Sequence, residues 1–134
     1  MATGTINGVK YNTSANYSTS GNRWLQFKYS TSVVSPGKTK VTWTLKSMYD
    51  GSDSVRSLLT NYALRIDGEV KCAIKEANRR YVSYNNGNDY SGQLGDPVNE
   101  SGSFTVTHDS SGKGTFTVKL TSAIYSSTSC KVEL

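Results

Sequence analysis

Apolar and polar residues alternate along most of this chain, with a period of two. In "KVTWTLKS", Val41, Trp43 and Leu45 share one side while Thr42, Thr44 and Lys46 share the other. That is the pattern of a strand with one face in a core and one in water. It returns in "NYALRID", with Tyr62, Leu64 and Ile66 against Ala63 and Arg65, and in "EVKCAIK", with Val70, Cys72 and Ile74 against Lys71 and Lys75. Asp67-Gly68 stands between these two runs and predicts a two-residue type I′ hairpin, whose central positions both need φ > 0.

Farther upstream, "RWLQFKYSTSVV" reads as a long strand with Leu25, Phe27 and Tyr29 inward. Its Trp24 falls on the opposite phase with Gln26 and Lys28, which predicts a place at an edge or an end. Pro36-Gly37 then forces a turn. Near the end, Phe104 and Val106, then Phe116, Val118 and Leu120, then Cys130, Val132 and Leu134 occupy the inward phase of three more strands.

No window sustains helical periodicity; the nearest, in "DSVRSLLTN", is short enough to be one helical turn or the start of a strand. The expected fold is all-β, an antiparallel β-sandwich of immunoglobulin-like or jelly-roll-like form with seven to nine strands. No composition break divides residues 1–134, so the prediction is a single domain. Length agrees, because 134 residues support one modest core.

Composition narrows the function classes. Ser and Thr together supply 35 positions, which suits strands with polar outer faces. The net charge of +5 comes from scattered residues, among them Lys28, Lys38, Lys40, Lys46, Lys71, Lys75 and Lys119; only Arg79 and Arg80 adjoin. Nucleic-acid binders gather basic residues on one face with interleaved aromatics, so no nucleic-acid partner is expected. No run is long and apolar enough for a membrane span, and "MATGTINGVKY" has neither the basic start nor the apolar stretch of an export signal. Cys72 and Cys130 lie outside any CxxC and lack companions for a zinc site. They read either as two buried thiols or as one disulfide.

The one chemically suggestive stretch is "VTHDSSGKGTFTVKL", residues 106–120, which sets the only histidine beside an aspartate and two serines. A Ser/His/Asp triad needs the base held by a third group and the nucleophile within hydrogen-bond reach. His108 and Asp109 are neighbours in sequence, so in a regular strand their side chains leave on opposite faces. Turn chemistry explains the stretch more completely, as a β-hairpin. Asp109 accepts turn N–H groups, Ser110 and Ser111 occupy the turn, Gly112 or Gly114 supplies φ > 0, and His108 closes the strand by bonding to turn backbone. With no phosphate loop, nucleotide fingerprint or metal cluster either, the chain is expected to be no enzyme and to need no cofactor.

Residues 76–102 break the alternation, with at most one short strand near residues 81–84 inside a long Asn- and Gly-rich connection. Here Arg79, Arg80, Tyr81, Tyr84, Asn86, Asn88, Asp89 and Tyr90 combine flat rings with planar hydrogen-bonding groups, which suit sugar rings or a protein partner. They are the candidate ligand-binding residues.

Three stretches carry a resemblance. "MATGTINGVKYNTSANY", "SFTVTHDSSGKGTFTVKLTSAI" and "SSTSCKVEL" resemble the N-terminal module of minor structural, tail-associated proteins of siphophages and prophages of Gram-positive bacteria. That family opens with Met-Ala-x-Gly-x-Ile, runs through a His-x-x-x-Gly turn between strands, and reaches a Ser-Cys-containing strand before a Pro-containing linker. His108, Gly112 and Cys130 match, while the middle matches only as a strand pattern and the linker is missing, so the chain is either a short relative or a fragment of a longer one. The resemblance implies a β-sandwich virion component at the tail or baseplate. Its partners would be other virion proteins or further copies of itself, and it would assist attachment to cell-wall polysaccharide. It also implies synthesis in a reducing cytoplasm, which favours free thiols. A carbohydrate-binding module of a secreted bacterial enzyme is the alternative.

Overall fold

Every alternating run forms a strand in a computed structural model of the chain. The structure describes residues 2–9, 23–49, 62–74, 82–83, 99–121 and 127–134. These hold nine strands: β1 (Thr3–Asn7), β2 (Arg23–Ser35), β3 (Lys38–Tyr49), β4 (Tyr62–Ile66), β5 (Glu69–Ile74), β6 (Val82–Ser83), β7 (Asn99–Thr107), β8 (Thr115–Thr121) and β9 (Ser127–Glu133). No helix occurs among the described residues.

Two sheets form. In sheet A the order is β1-β2-β3, and β3 then carries β7 along Lys38 to Lys46 and the short β6 beside Met48 and Tyr49. Sheet B has the order β5-β4-β8-β9. All pairings are antiparallel except that of β3 with β6. The order β2-β3-β7 opposite β5-β4-β8-β9 matches strands A, B and E opposite C′, C, F and G of immunoglobulin-type sandwiches, with β1 added outside β2.

The inward phases meet in one core. Ile6, Leu25, Phe27, Val41, Trp43, Leu45 and Val106 from sheet A pack with Leu64, Ile66, Phe116, Val118, Leu120 and Val132 from sheet B. Aromatic rings join the sheets edge to face. Phe116 stands 5.6 Å from Tyr29 and 5.1 Å from Phe104, both near perpendicular, a geometry that places ring edges on ring faces. Within sheet A, Phe27 stacks on Trp43 at 5.8 Å.

Two of these rings lie over glycines. Gly4 pairs with Tyr29 and Gly102 with Trp43. A Cβ at Gly4 would come within 2.4 Å of the Tyr29 ring, and one at Gly102 within 2.6 Å of Trp43 Cζ2. The row Gly4, Tyr29, Trp43, Gly102 therefore fits two large rings because its ends carry no side chains.

The turns follow their sequence signals. Asp67 and Gly68 have φ of 52° and 80°, as a type I′ turn requires, and Asp67 extends β4 toward β8, since its N–H donates to Thr117 O and its Oδ1 accepts from Thr117 N–H, both at 2.9 Å. Gly37, after Pro36, has φ of 76°.

One inward assignment needs correction. Val70, expected in the core, is 48% exposed. The pairing slips between Leu64, opposite Cys72, and Arg65, opposite Val70. Lys71 is the extra residue, and the bulge moves Val70 to the outer phase of Arg65. Trp24 does lie at the end of β2, yet it is only 3% exposed, and Gln26 and Met48 on the same outer side are also buried. Asn7 Oδ1 accepts from both Trp24 Nε1 and Gln26 Nε2 at 3.0 Å, which supplies polar partners at that end.

Strand order also answers the cysteine question. Cys72 lies in β5 and Cys130 in β9, the opposite edges of sheet B. Three inter-strand steps separate their backbones by about 14 Å, twice the roughly 7 Å that a disulfide can span. Cys130 is a free thiol, and the two cysteines do not bridge within one chain.

Candidate functional site

The histidine stretch is not the hairpin that its turn signals predict: β7 pairs with β3 in sheet A and β8 with β4 and β9 in sheet B, so the turn carries the chain from one sheet to the other. Asp109 Oδ1 accepts from Ser111 N–H at 2.8 Å, Ser111 Oγ–H at 2.6 Å and Lys113 N–H at 3.0 Å. Asp109 N–H donates to Lys113 O, Gly112 N–H returns to Asp109 O, and Gly112 has φ of 86°. Both nitrogens of His108 are engaged: Nδ1 lies 2.9 Å from Gly112 O and Nε2 lies 2.8 Å from Thr39 Oγ1. A carbonyl only accepts, so Nδ1 carries a proton, and in the neutral ring the Thr39 hydroxyl donates to Nε2. His108 N–H also donates to Gly37 O at 2.8 Å. The ring thus ties the turn to the β2–β3 hairpin.

Measured against the triad logic, Thr39 is a hydroxyl within reach of His108. It is itself largely buried, and a turn carbonyl orients the ring where a triad uses a carboxylate. The Asp109 carboxylate is spent on its own turn. Among the described residues no three His, Cys, Asp or Glu side chains gather as for a metal ion, and no helix is long and apolar enough to cross a membrane.

The turn carries a pH dependence of definite sign. The Ser111 hydroxyl, and then the Lys113 N–H, hold the Asp109 carboxyl below its ordinary range. A carboxyl with a folded pKa below its unfolded value of about 3.9 stabilises the fold fully above that value. The contribution is lost as pH falls through the folded pKa. Amide exchange at Ser111 and Lys113 should therefore accelerate, relative to its intrinsic rate, when the pH drops below about 4. In Asp109→Asn that acid-induced change should disappear; an equal change in both proteins would show that Asp109 is not its source.

The expected ligand residues Arg79, Arg80, Tyr81, Tyr84, Asn86, Asn88, Asp89 and Tyr90 all lie outside the described residues. The short strand expected near residues 81–84 is β6, which pairs with Met48 and Tyr49.

Another surface emerges from strand register. Inward residues take Gly4, Tyr29 and Trp43 toward the core, so the outer face of sheet A is built from the alternate positions. Thr3, Ser30, Thr42 and Ser103 align across β1, β2, β3 and β7, and Thr5, Lys28, Thr44 and Ser101 form the next row. The rows stand about 7 Å apart. Between the β1, β2 and β3 members of these rows runs an open trough of about 440 Å³, lined also by Gly4, Tyr29 and Trp43, whose outward backbone forms its floor.

Lysines flank the trough. Lys28 stands in one wall, Lys46 in the row beyond that wall, and Lys40 in the row beyond the other. All three are exposed. None makes an ion pair among the described residues, where the salt bridge found joins Lys71 to Glu69 at 3.6 Å. Among the described residues no carboxylate shares the face: Glu100 pairs with Leu45 on the inward phase, and Asp67, Glu69, Asp109 and Glu133 lie in turns or in sheet B. Alternation predicts each lysine's outward direction. It does not predict their alignment around hydroxyl rows, which depends on pairing between distant strands. No family model, curated protein or solved structure matches the chain.

Proposed function

We propose that the chain is a non-enzymatic module of a phage virion, associated with the tail or baseplate. It works by surface contact with other virion proteins and with host cell-wall glycan. The placement in a virion rests on the sequence resemblance, whose three stretches correspond to β1, the consecutive strands β7 and β8 with the turn that joins them, and β9. The observation that carries the contact reading is the outer face of sheet A, a broad hydroxylated surface with an open trough. Hydroxyl and amide groups on a preformed sheet hydrogen-bond sugar hydroxyls without the entropic cost of ordering a loop. The engaged ring of His108 and the turn-bound carboxylate of Asp109 support a structural role for that stretch.

Gold-labelled antibody against the chain, applied to purified particles of the phage or prophage that encodes it, tests the reading. Label at the tail end is the expected result. Unlabelled particles, with the chain recovered free in the culture medium, would overturn it in favour of a secreted module.

A further inference from the structure

The trough and its lysines indicate what kind of glycan the face would hold. We propose that the outer face of sheet A binds a linear anionic glycan, with Lys28, Lys40 and Lys46 meeting its charges and the Ser/Thr rows meeting its hydroxyls. This rests on the contact reading above and adds the ligand's charge and the residues that recognise it.

Three observations converge. The first is sign segregation. The outer face of sheet B mixes Arg65, Lys119 and Lys131 with Glu133, whereas the outer face of sheet A has lysines and no carboxylate among the described residues. A field of one sign over a broad face attracts a polymer of the other. The second is spacing. With Lys38 at the hairpin end, the lysines of β3 extend over about 27 Å from Lys38 to Lys46, a length matched to a repeating polymer more than to a single small anion. The third is chemistry. Lysine is a flexible point charge that tolerates varied anion geometry, and the intervening Thr3, Thr5, Ser30, Thr42 and Thr44 are small donors and acceptors suited to polyol hydroxyls. Nucleic acid fits less well, because no arginine and no exposed aromatic ring stands among the described residues of this face to stack on bases.

The test compares two variants with equal loss of charge. One carries Lys28→Gln, Lys40→Gln and Lys46→Gln on sheet A; the other carries Arg65→Gln, Lys119→Gln and Lys131→Gln on sheet B. Binding to polygalacturonate at fixed ionic strength is measured for both and for the parent chain, with neutral dextran and duplex DNA as comparison ligands, after equal denaturation midpoints have shown that all three fold alike. The expected result is a loss of about tenfold or more for the sheet A variant, a small change for the sheet B variant, and weak binding of dextran. Equal losses in the two variants would reduce the effect to net charge and overturn the site. Tighter binding of duplex DNA than of polygalacturonate would overturn the ligand class. Binding of neutral dextran as tight as that of polygalacturonate, unchanged by the lysine substitutions, would remove this inference and leave the proposed function standing, whereas absence of the chain from the virion would remove only the latter.

Discussion

Phe27→Ala should destabilise the domain by about 3–5 kcal/mol, a large part of the 5–15 kcal/mol typical of a folded domain. Phe27 has no exposed surface. Its ring lies 5.8 Å from Trp43 and 6.2 Å from Tyr29, on a strand flanked by both β1 and β3. The paired backbone on each side limits collapse of the space left by the ring, so the lost transfer energy and the cavity both count. Urea denaturation should show a lower midpoint with an unchanged slope. Val33→Ala is the reference: Val33 is 80% exposed beyond the core, and the expected change is within about 0.5 kcal/mol. Similar midpoints for the two variants would contradict the core described here.

Gly102→Ala should cost about 1–3 kcal/mol, although it adds a single methyl group to a strand and would be mild at most strand positions. The added carbon would sit 2.6 Å from Trp43 Cζ2. Trp43 is buried and stacked on Phe27, so the ring cannot yield without disturbing the centre of sheet A. Gly4→Ala meets an even closer contact, 2.4 Å from the Tyr29 ring. Tyr29 is only partly buried and can swing toward solvent, so the smaller loss is expected there. The mechanism is checked by a double-mutant cycle, because residues in direct contact couple: in a Trp43→Leu background, Gly102→Ala should cost clearly less than it does alone. Equal costs in the two backgrounds would mean that the ring contact is not the cause.

These two variants also mark where sequence reasoning succeeds and where it stops. Phe27 is legible, because alternation puts it on the same phase as Leu25 and Tyr29. The Asp67-Gly68 and Gly112 turns are legible because positive φ has a residue signature. Gly102 is silent in sequence: its partner Trp43 lies 59 positions away, and only register reveals that the two face each other. The exposure of Val70 is silent for a related reason, since a bulge reverses the phase of a strand without altering its composition. The burial of Trp24 on the outer phase also escapes a rule that assigns one buried face per sheet. The separation of Cys72 from Cys130 follows from strand order, which spacing along the chain does not encode.

The candidate surface has the same history. Lys28, Lys40 and Lys46 look scattered in sequence, a pattern that predicts no basic patch. Pairing of β2 with β3 brings them around one trough, and pairing of β1 with β2 adds Thr3 and Thr5. The Arg79 to Tyr90 group, by contrast, rests on loop composition alone, and it lies outside the described residues.

The most direct measurement is a titration of the isotope-labelled chain with fragmented cell-wall polymer from a Gram-positive bacterium, followed through backbone amide resonances. The account predicts that the largest shifts fall on the trough floor and walls, at Gly4, Lys28, Tyr29, Trp43 and Thr44, and saturate together. Shifts confined to the strands of sheet B or to residues 79–90, with those amides unmoved, would contradict it.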